Sequence, residues 1–413
     1  MTRIVLFTGK GGVGKTTVAA ATAVRAAAAG KRVLITSTDP AHSLADAFDQ
    51  PLEDGPTPIL GDVGGDGPGR LLAQQIDAQA RLEHHWRDVR DYLVELLAFG
   101  GVGEVQAEEL VLLPGLDEIF SLIDLRKQVE SGKHDLIVVD CAPTAETLRL
   151  LALPDALRWY VERMLQPGRR VAKAVRPVVN RLGGAPMPQD EVFGAVESIH
   201  ADLARVHAIL QDATRSTVRL VVNPERMVVA EAIRTATSLA LFGYAVDAVI
   251  VNRVLPDEIT DPYLAKWKLR HAEHLATIES SFAPTPILQA PLYDDELVGA
   301  AGLARLGDTL YRDTDETAVL FDGQPLRVER TEGGYRLRLS LPFATKDEVG
   351  LHRRQNELHV HVGSVKRTIP LPAALTRCQI GKARLRDGHL DVDFLAPDAK
   401  TTAPSRGRAG ARS

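Results

Sequence analysis

Near its start the chain carries two short, unbroken apolar runs with an alanine-rich stretch between them. Arg3–Thr8 reads as a strand covered on both faces, residues 16–29 as a helix ended by Gly30, and residues 32–38 as the next strand. Strand, glycine loop, helix, strand is a βαβ unit, which implies a mostly parallel sheet flanked by helices, an α/β fold. Apolar runs at 136–139, 217–222 and 248–251 extend the same sheet, with helical patterns such as 230–241 between them. The stretch 54–69 is dense in Gly, Pro and Asp and reads as a mobile loop.

Past residue 313 the period changes. Residues 326–330, 335–341, 357–362 and 389–394 alternate apolar with polar, and turn residues such as Asp322-Gly323, Glu332-Gly333-Gly334 and Asp387-Gly388 separate them. Period-two alternation with frequent turns predicts a small antiparallel all-β domain. The expected division is an α/β domain over 1–313, a linker over 314–324, a β-sandwich over 325–396 and a disordered tail over 397–413. That tail is Pro, Ala, Ser, Gly and Arg without an apolar period.

Composition narrows the class. A chain of 413 residues suits two or three domains, and 45% hydrophobic with 25% charged residues is that of a soluble globular protein. The net charge of −5 argues against a nucleic-acid partner, whose phosphates call for a basic excess. Two cysteines, Cys141 and Cys378, exclude a disulfide framework and a four-thiolate zinc site within one chain, and fit a reducing compartment. With no signal-like leader and no apolar run of about 18 residues, a cytoplasmic location is expected.

The glycine loop carries the chemistry. Gly9-Lys10-Gly11-Gly12-Val13-Gly14-Lys15-Thr16 fits G-x-x-x-x-G-K-[ST] and lies between a strand and a helix. Main-chain amides of such a loop converge on a polyphosphate, and the following helix presents its positive end. Gly9, Gly11, Gly12, Val13, Gly14, Lys15, Thr16 and Thr17 are therefore expected to bind ATP. Lys15 would sit on the β- and γ-phosphates and the Thr16 hydroxyl on Mg²⁺. Asp39, just past the second strand, could orient the attacking water, and Asp140, ending an apolar strand, could hold Mg²⁺ through water.

The extra lysine, Lys10, makes the loop resemble the deviant Walker A of the signature-lysine ATPases. Ser37-Thr38-Asp39-Pro40-Ala41-His42 and Asp140-Cys141-Ala142-Pro143-Thr144, with Thr147-Leu148-Arg149 behind, are similar to the two switch motifs of the arsenical-pump and tail-anchored-protein-targeting family. Leu113-Pro114-Gly115-Leu116-Asp117-Glu118, Asn252-Arg253, and Pro291-Leu292 with Glu296 and Gly299 extend the likeness over roughly 3–310. The resemblance implies a homodimeric P-loop ATPase in which Lys10 crosses to the partner's nucleotide as a catalytic cation. It also implies that Asn252 reads the adenine edge and that Pro291 and Leu292 wall the base. Departures from the family matter as well. No three-thiolate metalloid site is possible with two cysteines, and the region 261–271 lacks the C-x-x-C through which some members share zinc. An iron–sulfur cluster of the nitrogenase type is not expected either. Switch II reads Thr144-Ala145-Glu146 in place of Thr-Gly-His, which predicts slow or differently regulated hydrolysis.

Residues 325–396 resemble a small heat-shock (α-crystallin) domain through Leu341-Pro342-Phe343, Ile369-Pro370-Leu371-Pro372 and Ala383…Asp387-Gly388…Leu390. The resemblance implies that the Asp-Gly turn precedes an edge strand. Such a domain binds a client or only packs, and both readings stand. The amphipathic stretch around Val171, Val175, Val178 and Leu182 is equally open: a lid for a client or a membrane surface, or a helix packed on its own domain. Three functions remain in view. One couples ATP hydrolysis to transport or targeting of an unknown client, with a membrane-protein partner possible. The others are an ATP-switched chaperone and a positioning scaffold of the septum or partition type.

Overall fold

The computed structural model describes residues 1–38, 43–60, 69–75, 116–142, 144 and 190–396. Asp39, switch II beyond Thr144 and the amphipathic stretch at 171–182 lie outside them, as does the tail at 397–413. The chain divides into two compact units, Met1–Gln324 and Pro325–Ser413.

In the first unit eight strands form one sheet: β1 (Arg3–Thr8), β2 (Val33–Ser37), β3 (Thr57–Leu60), β4 (Leu71–Gln75), β5 (Leu136–Asp140), β6 (Ser216–Val222), β7 (Val246–Val254) and β8 (Ile287–Pro291). Their order is β3-β4-β2-β5-β1-β6-β7-β8, and every pairing is parallel except β3 with β4. β2, β5 and β6 are buried at every position, which is why they read as continuous apolar runs and not as alternation. Part of the expected loop at 54–69 is the edge strand β3. Its Pro58 lacks a ladder donor, a defect tolerated only at an edge, and this hid the strand among turn residues.

Among the described residues seven helices belong to this unit: α1 (Lys15–Ala28), α2 (Ser43–Phe48), α3 (Leu116–Glu130), α4 (Asp190–Gln211), α5 (Arg226–Phe242), α6 (Pro262–Phe282) and α7 (Gly299–Tyr311). α1 is slim because alanine, the best helix former, supplies most of its buried face. α7 exploits this: a Cβ on Gly307 would stand 2.9 Å from the Ala21 carbonyl oxygen, so only glycine permits the approach.

The expected linker at 314–324 is held in part against the sheet. Arg3 donates to the Thr317 carbonyl at 3.0 Å, Arg219 to the Ala318 carbonyl at 3.1 Å, and the Leu320 amide donates to Asp247 at 3.3 Å. Arg219 and Asp247, both fully buried, pair at 3.3 Å beneath it. Buried charges demand such partners, so this segment is ordered by the groups it satisfies.

The second unit has a four-stranded sheet, β14-β15-β10-β9, and a three-stranded sheet, β11-β12-β13. They comprise β9 (Leu326–Thr331), β10 (Gly334–Ser340), β15 (His389–Leu395) and β14 (Gln379–Arg386), then β11 (Val349–Arg354), β12 (Glu357–Val362) and β13 (Val365–Pro370). Leu337, Leu339, Leu358, Val360, Ile369, Val392 and Phe394 form its core. Asp387 and Gly388, with φ of 49° and 71°, make the tight turn from β14 to β15. One expectation is corrected here. The edge strand is β14, before the turn, whereas β15 lies between β14 and β10. β15 is paired on both sides, with β14 and with β10, and the second pairing is one that local sequence does not encode.

Candidate functional site

Parallel register brings the carboxyl ends of β1, β2 and β5 level, with Phe7 and Ser37 both opposite Asp140. The glycine loop leaves β1 at this level. Gly14, at φ 91° and ψ 29°, forms the left-handed entry to α1. Lys15 and Thr16 follow in its first turn, where the unpaired amides give the helix a positive end.

Thr16 Oγ1 donates to Asp140 Oδ2 at 2.8 Å and lies 3.1 Å from Ser43 Oγ, while Ser37 Oγ donates to the same carboxylate oxygen at 3.4 Å. Asp140 is fully buried. Three hydroxyls and one carboxylate make an all-oxygen donor set, which suits a hard cation of the Mg²⁺ kind. The neighbouring Cys141 Sγ lies against the Val139 carbonyl at 3.8 Å. The two switch segments are tied together at their roots, since the Thr38 amide donates to the Asp140 carbonyl at 2.9 Å and the Ala142 amide to Thr38 Oγ1 at 3.2 Å.

Lys15 is buried and curls over the loop, its Nζ 3.4 Å from the Lys10 carbonyl. Val13 is buried and Thr17 half-buried in α1. Lys10 points elsewhere: its Nζ is 3.7 Å from Glu231 Oε2 on α5 of its own chain. Asn252, at the carboxyl half of β7, donates from Nδ2 to the Val13 carbonyl at 2.9 Å and accepts the Arg253 amide at 3.0 Å. Both ends of its amide are thus occupied by the chain itself. Arg253 adds a bond from Nη1 to the Gly12 carbonyl at 3.1 Å. Pro291 and Leu292 stand on the edge strand β8 and the residue after it, joined to β7 by the Leu292 amide on the Val254 carbonyl at 2.8 Å.

An open groove of about 440 Å³ flanks the loop, lined by Lys10, Gly11, Gly12, Asn223, Arg253 and Trp267. Sequence reading missed Asn223, Glu231 and Arg253 as neighbours of the loop. Asn223 and Glu231 belong to no local motif, Arg253 stood only as the neighbour of Asn252, and the order of strands β1, β6 and β7 is what makes them adjacent. Ser37 was legible only as a member of the switch I pattern, and Ser43 follows directly behind that pattern.

A family model described as an anion-transporting ATPase matches residues 2–312. The chain belongs to that family. A second model, an HSP20-like domain found in ArsA, matches residues 332–394. Two of the similar proteins match over nearly the whole of both chains, and a third over part of its length. "Putative arsenical pump-driving ATPase 1" of Aquifex aeolicus is 36% identical over 391 residues, 93% of this chain and 97% of that one. "Putative arsenical pump-driving ATPase" of Chlorobaculum tepidum is 36% identical over 395 residues, 95% and 96% of the two chains. "ATPase ARSA1" of Chlamydomonas reinhardtii is 33% identical over 330 residues, 74% of this chain and 42% of that relative. Among the described residues no helix is long and apolar enough to cross a membrane.

Proposed function

We propose that this chain hydrolyses Mg²⁺-ATP as a homodimer and couples the cycle to handling a client or transport partner. The observation that carries the reading is the Thr16–Asp140 bond at 2.8 Å, which joins the loop's hydroxyl to a buried carboxylate at the end of β5, the strand paired directly with β1. Main-chain amides of Gly9, Gly11, Gly12, Val13, Gly14, Lys15, Thr16 and Thr17 cradle the phosphates, and Lys15 swings from the Lys10 carbonyl to the β- and γ-oxygens. Thr16 directly, and Asp140 through water, hold the metal. Mg²⁺ bound there offsets charge on the phosphate oxygens. Asp39 orients the attacking water. Pro291 and Leu292 wall the adenine, and Asn252 reads its edge while its Nδ2 keeps the bond to the Val13 carbonyl, since the amide has a second N–H and further acceptor capacity.

Lys10 acts in trans in this reading, as a cation delivered where charge grows. Met227, Tyr263, Trp267 and Leu269 are exposed on α5 and α6, and Met227 and Trp267 line the groove that also holds Lys10. Exposed apolar residues beside a catalytic loop suit an interface with a second copy. The relatives' names speak of arsenical pumps. Here Cys141 and Cys378 are both buried, in different units, so a partner or client is engaged without a three-thiolate metalloid site in one chain.

Steady-state turnover tests the assignment. Lys15→Ala should abolish Mg²⁺-ATP hydrolysis, whereas Lys10→Ala should retain nucleotide binding and lose turnover by orders of magnitude. Unchanged turnover in Lys10→Ala would remove that lysine from catalysis.

A further inference from the structure

We infer that Arg253 is a positioning residue for the phosphate-binding loop. With Asn252 it holds two successive loop carbonyls turned outward, and so aims two successive amides at the phosphates of the nucleotide. The inference deepens the ATPase reading above and rests on it.

In a regular strand neighbouring side chains point to opposite faces, so Asn252 and Arg253 could not both reach one loop from an unbroken β7. The strand is interrupted there. Its parallel register with β8 pairs Val251 with Gln289 and resumes with Val254 on Pro291, so two residues of β7 stand against the single residue between those of β8. A bulge of this kind bends the strand and re-aims its side chains. Arg253 adopts φ 57° within it, a left-handed conformation that is unfavourable for any residue with a Cβ. Asn252 Oδ1 accepts the Arg253 amide at 3.0 Å, which closes the bulge on itself. Strain held in place next to a binding loop points to a use for the side chain so presented.

The use lies in the loop's peptide planes. Asn252 Nδ2 donates to the Val13 carbonyl at 2.9 Å, and Arg253 Nη1 donates to the Gly12 carbonyl at 3.1 Å. Across a trans peptide the carbonyl and the following N–H point in opposite directions. Gripping the Gly12 and Val13 carbonyls therefore turns the Val13 and Gly14 amides away from β7. Amides of such a loop receive the α- and β-phosphates. Gly12 and Gly14, at φ 82° and 91°, give the loop a backbone that turns easily, so two planes fixed before the nucleotide arrives remove part of the ordering cost of binding.

A through-space role for the same guanidinium makes a different forecast. A diffuse cation attracts a triphosphate more than a diphosphate, and salt screens it. A fixed peptide plane acts on the phosphate it faces, which ADP and ATP share.

Calorimetry on the full chain with Mg²⁺ and either ADP or a non-hydrolysed ATP analogue separates the two. Arg253→Gly removes the side chain at an exposed position whose φ suits glycine, so the melting temperature should match the parent's. Affinity for ADP and for the analogue should fall by the same factor, about tenfold, and the loss should persist at raised salt. Arg253→Lys, which keeps a donor on a long stem, should regain part of it. Parent-like affinity in Arg253→Gly overturns the inference, and so does an Arg253→Lys chain as weak as Arg253→Gly. A loss that is larger for the triphosphate and vanishes at raised salt also overturns it, because Arg253 would then act by charge alone. Absence of nucleotide binding in the parent would instead strike the ATPase reading itself.

Discussion

Gly14→Ala probes the coupling between the glycine loop and β7. The residue sits at φ 91°, a left-handed conformation that costs an alanine about 1–2 kcal/mol. Its new methyl would also overlap the Asn252 Nδ2 and approach the Asn252 Cγ at 3.7 Å. Asn252 must then turn away and give up its 2.9 Å bond to the Val13 carbonyl. Leaving that carbonyl unsatisfied adds about 1–3 kcal/mol. The combined cost to the loop's observed form is on the order of 3 kcal/mol, which corresponds to roughly a hundredfold in affinity if binding needs that form. Calorimetry with Mg²⁺ and a non-hydrolysed ATP analogue measures it. The decisive comparison is a double-mutant cycle. In an Asn252→Ala background the collision partner is gone, so Gly14→Ala should cost at least about 1 kcal/mol less than in the parent. Equal costs in both backgrounds would refute the account and reduce the effect to backbone strain alone.

Other expectations are independent of that one. Asp247→Ala strands the fully buried Arg219 and frees Arg3 and the Leu320 amide, a loss of about 3–5 kcal/mol, and should lower the melting temperature of the first unit by on the order of 10 °C. A thermal scan superimposable on the parent's would rule this out. Burial, and then the nearby Arg32, Arg70 and Lys133, push His134 down to about 4 when folded against 6.5 when unfolded, so between those values the unfolded chain binds the extra proton. Stability should therefore fall as pH drops from about 6.5 to about 4, by up to about 3 kcal/mol, and urea midpoints of His134→Gln should lack that limb. The Lys10–Glu231 contact is long at 3.7 Å and about one-third exposed on both sides, worth at most about 1 kcal/mol. Glu231→Gln should release Lys10 and raise turnover by up to about fivefold with unchanged nucleotide affinity. A fall in turnover would mean that Glu231 serves catalysis in another way.

Local patterning alone determined a good deal of this protein. The apolar runs at β1, β2, β5 and β6 announce themselves because strands buried on both faces need no polar positions, and the glycine loop does because amides can converge on phosphate only where side chains are missing. Period-two alternation marked four of the seven strands in the second unit. The strands β3, β4, β8, β11, β13 and β14 were not legible, being short, at edges, or too polar to show a period. Tertiary structure decided what lies next to what. Asp140 reaches Thr16 across 124 positions because β5 pairs with β1, and Asn252 reaches Val13 across 239 because α1, β6 and β7 close over the loop. Arg32, Arg70 and Lys133 come near His134 only because three strands start level. Residue spacing fixes contacts over a turn or a pleat, whereas strand order is set by which buried faces complete one another, and that is a property of the whole chain.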